Sequence, residues 1–351
     1  MSGEPGMAEE KLTFREAAAG GDPVSVLARV GEAETRVGEF LTARPVWLPA
    51  GTRLCQLRVA AAADRGTGYE RLDNEILAGR RLAEAAGDLD YPATVSRLHG
   101  DEAESAEPFA LLDPYAGEPL RAVVANMMDD EQRDFEVGLL TGLCWLDAAG
   151  IAHRGLTPTT VRWDGDRRQA QITDFSLCTV FGVPREAIGP RDWVGPEQQS
   201  GRKVSGLVSN RDDMNSAARL IYYVRTQGEP LRSLDQLDGA RLGYLKPLIA
   251  APENRLTARE LFRRRVGTDC PVPRGTGGDP GLTAGREVFD ARRREKHPSV
   301  GGQQPPAARR VPRPADPAAG TRAAPKDGPG AGPRAPADPG RRHRWRFGGH
   351  S

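Results

Sequence analysis

The sequence predicts an α+β fold of two lobes, a small strand-rich one followed by a larger helical one, with a long disordered arm after them. Three observations carry that expectation. Apolar and polar side chains alternate between about Gly38 and Ala60, apolar residues then recur at helical spacing, and the composition changes abruptly after Cys270. At 351 residues the chain has room for one large domain or two ordinary ones.

The elements follow in order. The stretch "EFLTARPVWLPAGTRLCQLRVAA", punctuated by Pro and Gly, reads as short antiparallel strands. "YERLDNEILAGRRLAEAA" brings Leu72, Ile76, Leu77 and Leu82 to one side at near-helical spacing, with charges opposite. "PATVSRLHG" and "PFALLDPY" read as strands again, and after "GEPLRAVV" the chain turns mostly helical, with Leu139, Leu143 and Leu146 on one stripe. These readings give an N-terminal extension over 1–37, a folded domain over 38–265 whose lobes meet at 115–116, and an arm over 266–351. From Pro271 onward Pro, Gly, Ala and Arg dominate and aliphatic residues nearly vanish. Such a segment buries too little apolar surface to offset its ordering entropy.

Charge divides at the same place. Residues 271–351 hold 16 Lys and Arg against 7 Asp and Glu, a surplus of +9; with the whole chain at +1, the preceding residues carry −8. A basic arm beside an acidic body is expected to meet protein partners. "RRHRWRFGG", which interleaves Trp345 and Phe347 with arginine, adds nucleic acid or an anionic membrane as lesser alternatives. The four cysteines, Cys55, Cys144, Cys178 and Cys270, have no short paired spacing, which argues against a zinc knuckle and a disulfide framework and for a reducing cytoplasm. No apolar run has the length of a membrane span, and "MSGEPGMAEEKLTF" lacks the pattern of a secretory signal.

Five motifs in register give the chain a family resemblance: "HRGLTPTTV", "ITDFS", "WVGPEQ", "NRDDMNSAARLIYYVRTQGEPL" and "PENRLTARELF". From about Gly38 to Phe262 the sequence resembles the protein kinases, which implies their bilobal fold. In the family's catalytic loop, HRDLxxxN, the Asp accepts the substrate hydroxyl proton and the Asn holds magnesium. Here His153, Arg154 and Leu156 match, but Gly155 stands for the Asp, Thr160 for the Asn and Thr157 for the commonly found Lys. Asp174 of "DFS" matches the aspartate that binds magnesium, with Ser176 in place of glycine.

The resemblance also implies a strand lysine paired with a helix glutamate. Glu75 looks like that glutamate and Arg58 stands where the lysine would be, so an Arg58–Glu75 pair is expected to hold the small lobe together. No phosphate-covering GxGxxG occurs; "VGEAETRVGEF" has Gly31 and Gly38 at other spacing. Leu112 and Asp113 would sit at the mouth of an adenine pocket, beside Pro114. The structural matches are intact: Glu197 is expected to pair with Arg255, and Asp213 to hold the catalytic-loop backbone.

Retained architecture without retained chemistry implies a pseudokinase, a regulatory or scaffolding module that requires no cofactor. Its composition suits a high-GC actinobacterium. ATP would bind weakly at most, in a cleft marked by Arg58, Glu75, Leu112 and Asp174, with Asp174 the one magnesium ligand left. The alternative is an unusual or weakly active ATP-dependent phosphotransferase centred on Asp174.

Overall fold

The computed structural model describes residues 7–17, 21–32, 34–199, 204–239 and 242–273, and within them strands come first and most helices later. Seven strands lead: β1 (Met7–Glu16), β2 (Val24–Gly31), β3 (Thr35–Val37), β4 (Leu41–Trp47), β5 (Arg53–Val59), β6 (Leu98–Glu102) and β7 (Phe109–Leu112). Helix α1 (Arg65–Ala86) interrupts them after β5. It starts at Asp64, whose carboxylate accepts the Thr67 amide N–H at 2.8 Å and so satisfies one of the free first-turn donors.

All the strand pairs in this sheet are antiparallel, in the order β2-β1-β6-β7-β5-β4-β3. β4 is shared: its first half pairs with β3, and Val46 and Trp47 pair with Val30 and Arg29 of β2. That second pairing closes six strands into a barrel, leaving β3 as a flap on its rim. Strand alternation then gives each residue one of two environments. Leu12, Phe14, Ala28, Val30, Val46, Leu54, Phe109 and Leu111 fill the barrel, whereas Leu41, Ala43, Leu57, Leu98, Ala110 and Leu112 pack outward on Leu72 and Ile76 of α1.

The segment before Gly38 is therefore no extension. Leu12 and Phe14 of β1, and Ala28 and Val30 of β2, supply half of the apolar groups that line the barrel. Beside them Arg44 reaches Gln56 Oε1 at 2.6 Å and grips Glu10 with both terminal nitrogens at 3.1 and 2.7 Å. Gly100 shows how tightly β1 seats: a Cβ there would lie 2.5 Å from the Phe14 ring and 2.6 Å from the Arg15 carbonyl oxygen.

The later part is built on helices α2 (Leu120–Val123), α3 (Asp129–Ala148), α4 (Met214–Arg225), α5 (Lys246–Ile249) and α6 (Ala258–Val266). Short strands β8 (Glu118–Pro119), β10 (Val161–Asp164) and β11 (Gln169–Ile172) form one small sheet, and β9 (Ile151–Ala152) pairs with β12 (Thr179–Val180). Leu139, Leu143 and Leu146 of α3 are buried in the large core with Ile172, Phe175, Ile221 and Leu261.

The expected start of the arm at 266 also moves. Beyond α6, Cys270 and Val272 are buried in that core, and Arg259 donates to the Val272 and Pro273 carbonyl oxygens. An apolar valine and a guanidinium clamp hold what composition alone assigned to the arm. Residues 274–351, with Trp345 and Phe347, lie outside the described residues. Among the described residues no helix is long and apolar enough to cross a membrane.

Candidate functional site

The loop after β9 is built on one buried carboxylate. Asp213, just ahead of α4, accepts the His153 amide N–H through Oδ2 at 2.6 Å and the Arg154 amide N–H through Oδ1 at 2.8 Å. These bonds hold Arg154 at φ 60°, a left-handed conformation that is strained for a non-glycine residue. His153 is completely buried. Its Nδ1 accepts the Gly155 amide N–H at 3.1 Å, so the ring proton sits on Nε2, which donates to the Thr173 carbonyl oxygen at 3.0 Å. The Arg154 side chain runs inward and donates to the Leu177 carbonyl oxygen at 2.9 Å.

The loop's next residues close on one another. Thr160 Oγ1 donates to the Gly155 carbonyl oxygen at 2.8 Å and accepts the Thr157 amide N–H at 2.9 Å, while the Thr157 and Thr159 hydroxyls bond at 2.7 Å. Gly155 faces an apolar side chain: a Cβ placed there would lie 3.0 Å from Leu177 Cδ1. Thus Thr157 and Thr160 shape the turn, and a side chain at position 155 would press on the end of Leu177.

Across from this loop lies a set of polar groups with too few partners. Asp174 takes a left-handed φ of 62° and accepts the Ser176 amide N–H at 3.4 Å. Asn74 of α1 donates to the Ser176 carbonyl oxygen at 2.8 Å, which ties the helix to this turn. Glu75, the next residue, is 2% exposed, and its Oε2 has no hydrogen-bond partner. Burial, then the neighbouring Asp174 charge, pushes the Glu75 carboxyl up to about 8, against a stabilising bond from the Phe175 amide. Glu75 is therefore mostly protonated at neutral pH.

Arg58 does not pair with Glu75. It shares the barrel-facing side of β5 with Leu54 and Gln56, and its guanidinium binds Glu107 instead. The expected pairing fails on the period of two, because the face of β5 toward α1 carries Cys55, Leu57 and Val59. Cys55 is the β5 side chain whose titration Glu75 affects, and burial first, then Glu75, pushes its thiol up to about 11. A neutral thiol thus faces the glutamate where a cation was expected. Leu112 pairs with Cys55 across β5 and β7 and is buried against α1, so it lines no open mouth.

Two further groups fill the space. Tyr115, just past β7, packs against the same apolar cluster with its hydroxyl buried and unpartnered. Burial, followed by the charges of Glu75 and Asp174, holds that phenol well above its ordinary range. Arg162 lies over the Tyr115 ring at 5.7 Å and fixes the following residues by donating to the Ala116 and Gly117 carbonyl oxygens. From the rim of the barrel, the turn at Gly38 (φ 62°) comes down on Asp174; a Cβ on Gly38 would be 4.0 Å from Asp174 Oδ2.

Away from these groups, Arg255 grips Glu197 with both terminal nitrogens at 2.6 and 2.8 Å. The arginine is 2% exposed and also donates to the Ala250 carbonyl oxygen at 2.9 Å. This pair ties the segment before α6 to the turn at Pro196–Gln198.

Sequence reasoning missed Cys55, Tyr115 and Leu177. Counting β5 alternation from the buried Leu54 would have found Cys55. The other two enter through loops, which carry no periodic signal.

No family model matches the chain. Over 164 residues, 43% of this chain, it is 25% identical to a probable serine/threonine-protein kinase of Streptomyces coelicolor, 24% of which is covered. Over 169 residues, 44% of the chain, it is 23% identical to a serine/threonine-protein kinase of Myxococcus xanthus, 30% of which is covered. The chain therefore spans less than a third of the length of either relative. The similarity to these bacterial kinases is distant and covers less than half of this chain.

Proposed function

We propose that this chain is a pseudokinase of the bilobal kinase fold, a regulatory or scaffolding binding module that does not transfer phosphate. The observation that carries the reading is the buried Glu75, which lies by the Cys55 thiol and Asp174 and whose Oε2 has no hydrogen-bond partner among the described residues. Phosphate recognition needs fixed positive charge or a cradle of backbone N–H groups. Here two acids and a thiol stand together, the Gly38 turn lies against Asp174, and the Tyr115 phenol reaches the same place. These residues do not fit a nucleotide triphosphate with magnesium. The Thr160 hydroxyl is committed to its own loop, and Gly155 offers no base.

What remains is a surface. The acidic body and the basic arm of residues 271–351 are the parts we assign to protein partners, with nucleic acid or an anionic membrane as lesser alternatives for the arm. A cytoplasmic location fits four cysteines that carry no disulfide. Residual phosphotransferase activity centred on Asp174 is the second reading, favoured by that residue's place beside Glu75.

A transfer assay with labelled ATP, on the full chain and on Asp174→Ala, separates the two readings. We expect no label on the protein itself or on generic substrates. Label that appears with the full chain and vanishes in Asp174→Ala would overturn the proposal.

A further inference from the structure

Between β8, α2, the first turn of α3 and the turn after β10 lies a cavity of about 500 Å³ that shares no lining residue with the groups around Glu75. Its wall carries four carboxylates, Glu118, Glu131, Asp164 and Asp166, and no Lys or Arg. Glu131 Oε2 accepts the Met128 amide N–H at 2.8 Å, which caps α3 and leaves Oε1 free. Glu118 and Asp166 are exposed and make no hydrogen bond or ion pair among the described residues. The neighbouring guanidinium groups are already bonded, Arg167 to Asp164 and Arg162 to the Ala116 and Gly117 carbonyl oxygens. A helix N-terminus favours an anion, but Asp129, Asp130 and Glu131 already occupy the first turn of α3. The cavity is therefore left with a negative field.

A second observation is independent of charge. Trp163 stands opposite Glu118 across β10 and β8, is 3% exposed, and packs its ring edge-on against Phe135 at 6.2 Å. Its Nε1 nevertheless donates to no group among the described residues, and that edge of the ring borders the cavity: a Cβ on Gly165 would lie 3.7 Å from Nε1 and 3.9 Å from Glu131 Oε1. A buried indole N–H ordinarily finds an acceptor. The carboxylates call for a cation and the indole for an acceptor close beside it, with Met127 adding apolar wall. A polyamine supplies the cation alone, whereas a peptide supplies a carbonyl oxygen next to a basic side chain. The volume suits a few residues of such a peptide.

We propose that this cavity binds a short arginine- or lysine-bearing segment of a protein partner, with the cation among Glu118, Glu131 and Asp166 and a backbone carbonyl on the Trp163 indole N–H. The proposal rests on the binding-module reading above and gives its acidic body a defined place of contact.

The probe is acetyl-Arg-Ala-Leu-Arg-amide, titrated into the full chain by calorimetry and followed through the indole N–H signals of ¹⁵N-tryptophan-labelled protein. Acetyl-Glu-Ala-Leu-Glu-amide and spermidine are the controls. Saturable binding of the arginine peptide that moves an indole signal is expected, weakening as salt rises, with no binding of the glutamate peptide. Spermidine, which cannot accept from the indole, should bind about tenfold more weakly or worse. Glu118→Lys combined with Asp166→Lys, both at exposed positions, should weaken the peptide about tenfold or more. Gly165→Leu sets a side chain between the indole nitrogen and Glu131 and should abolish both the binding and the indole shift; should the charge-reversed protein fail to fold, this variant decides alone. Peptide binding that survives these changes or moves no indole signal would overturn the site while leaving the binding-module reading standing. Absence of peptide binding, or spermidine bound as tightly as the peptide, would overturn it as well.

Discussion

Two residues state the chemistry most directly, Gly155 and Glu75. Gly155 lacks a carboxyl, and Leu177 stands 3.0 Å from where a Cβ would be. Gly155→Asp is therefore expected to give no measurable phosphate transfer in a labelled-ATP assay, and to melt lower than the parent by the strain of displacing Leu177. At Glu75 the consequence is a pH dependence. Its carboxyl titrates near 8 in the folded chain, against 4.5 ordinarily, so between those values the native state holds a proton that the unfolded chain has released. Stability must then fall as pH rises through that window. With each unit equal to about 1.4 kcal/mol, ionising the buried group costs on the order of 5 kcal/mol. Glu75→Gln, which cannot ionise, should match the parent near pH 5 and melt several degrees above it near pH 9. Equal slopes of melting temperature against pH for the two proteins would show that Glu75 does not carry the effect.

Among the elements, the hairpin of β1 and β2 changes the meaning of the N-terminal sequence. Leu12 and Phe14 are 5% and 2% exposed inside the barrel, and full burial of each such side chain stabilises by roughly 1.5–3 kcal/mol. A chain begun at Gly38 should lose at least about 5 kcal/mol from the strand-rich part and expose Leu54, Phe109 and Leu111. Circular dichroism on heating, with dye binding to exposed apolar surface, would register both; an unchanged melting curve would remove the barrel from the account. The alternation that places Leu12 and Phe14 inside is present in "KLTFRE", and Val24 to Val30 alternates as well, but the polar flanks disguised both strands. α1 and α3, with longer periodic stripes, were legible throughout. Arg58 was misplaced because charge drew attention from alternation, since only odd-numbered positions of β5 from Cys55 onward face the helix.

At the scale of the whole molecule, a few buried side chains tie distant segments together. The bonds that support the loop persist, with Asp213 under His153 and Arg154 and with Arg255 gripping Glu197. The residues that make those bonds lie in short motifs that the sequence displays on its face. The places of Tyr115, Leu177 and the Gly38 turn were not legible, because these groups arrive through tertiary contacts that no local pattern encodes. We propose that the residues around Glu75 and Asp174 do not accept a nucleotide with its metal. Titrating the full-length protein with ATP, with and without magnesium, while following its melting temperature tests that claim most directly. Ligand at a hundredfold excess over its Kd stabilises by about 2.7 kcal/mol, so a competent site would raise the melting temperature by several degrees. The account predicts a shift below about 1 °C at millimolar ATP in either condition; a rise of several degrees that requires magnesium and disappears in Asp174→Ala would contradict it.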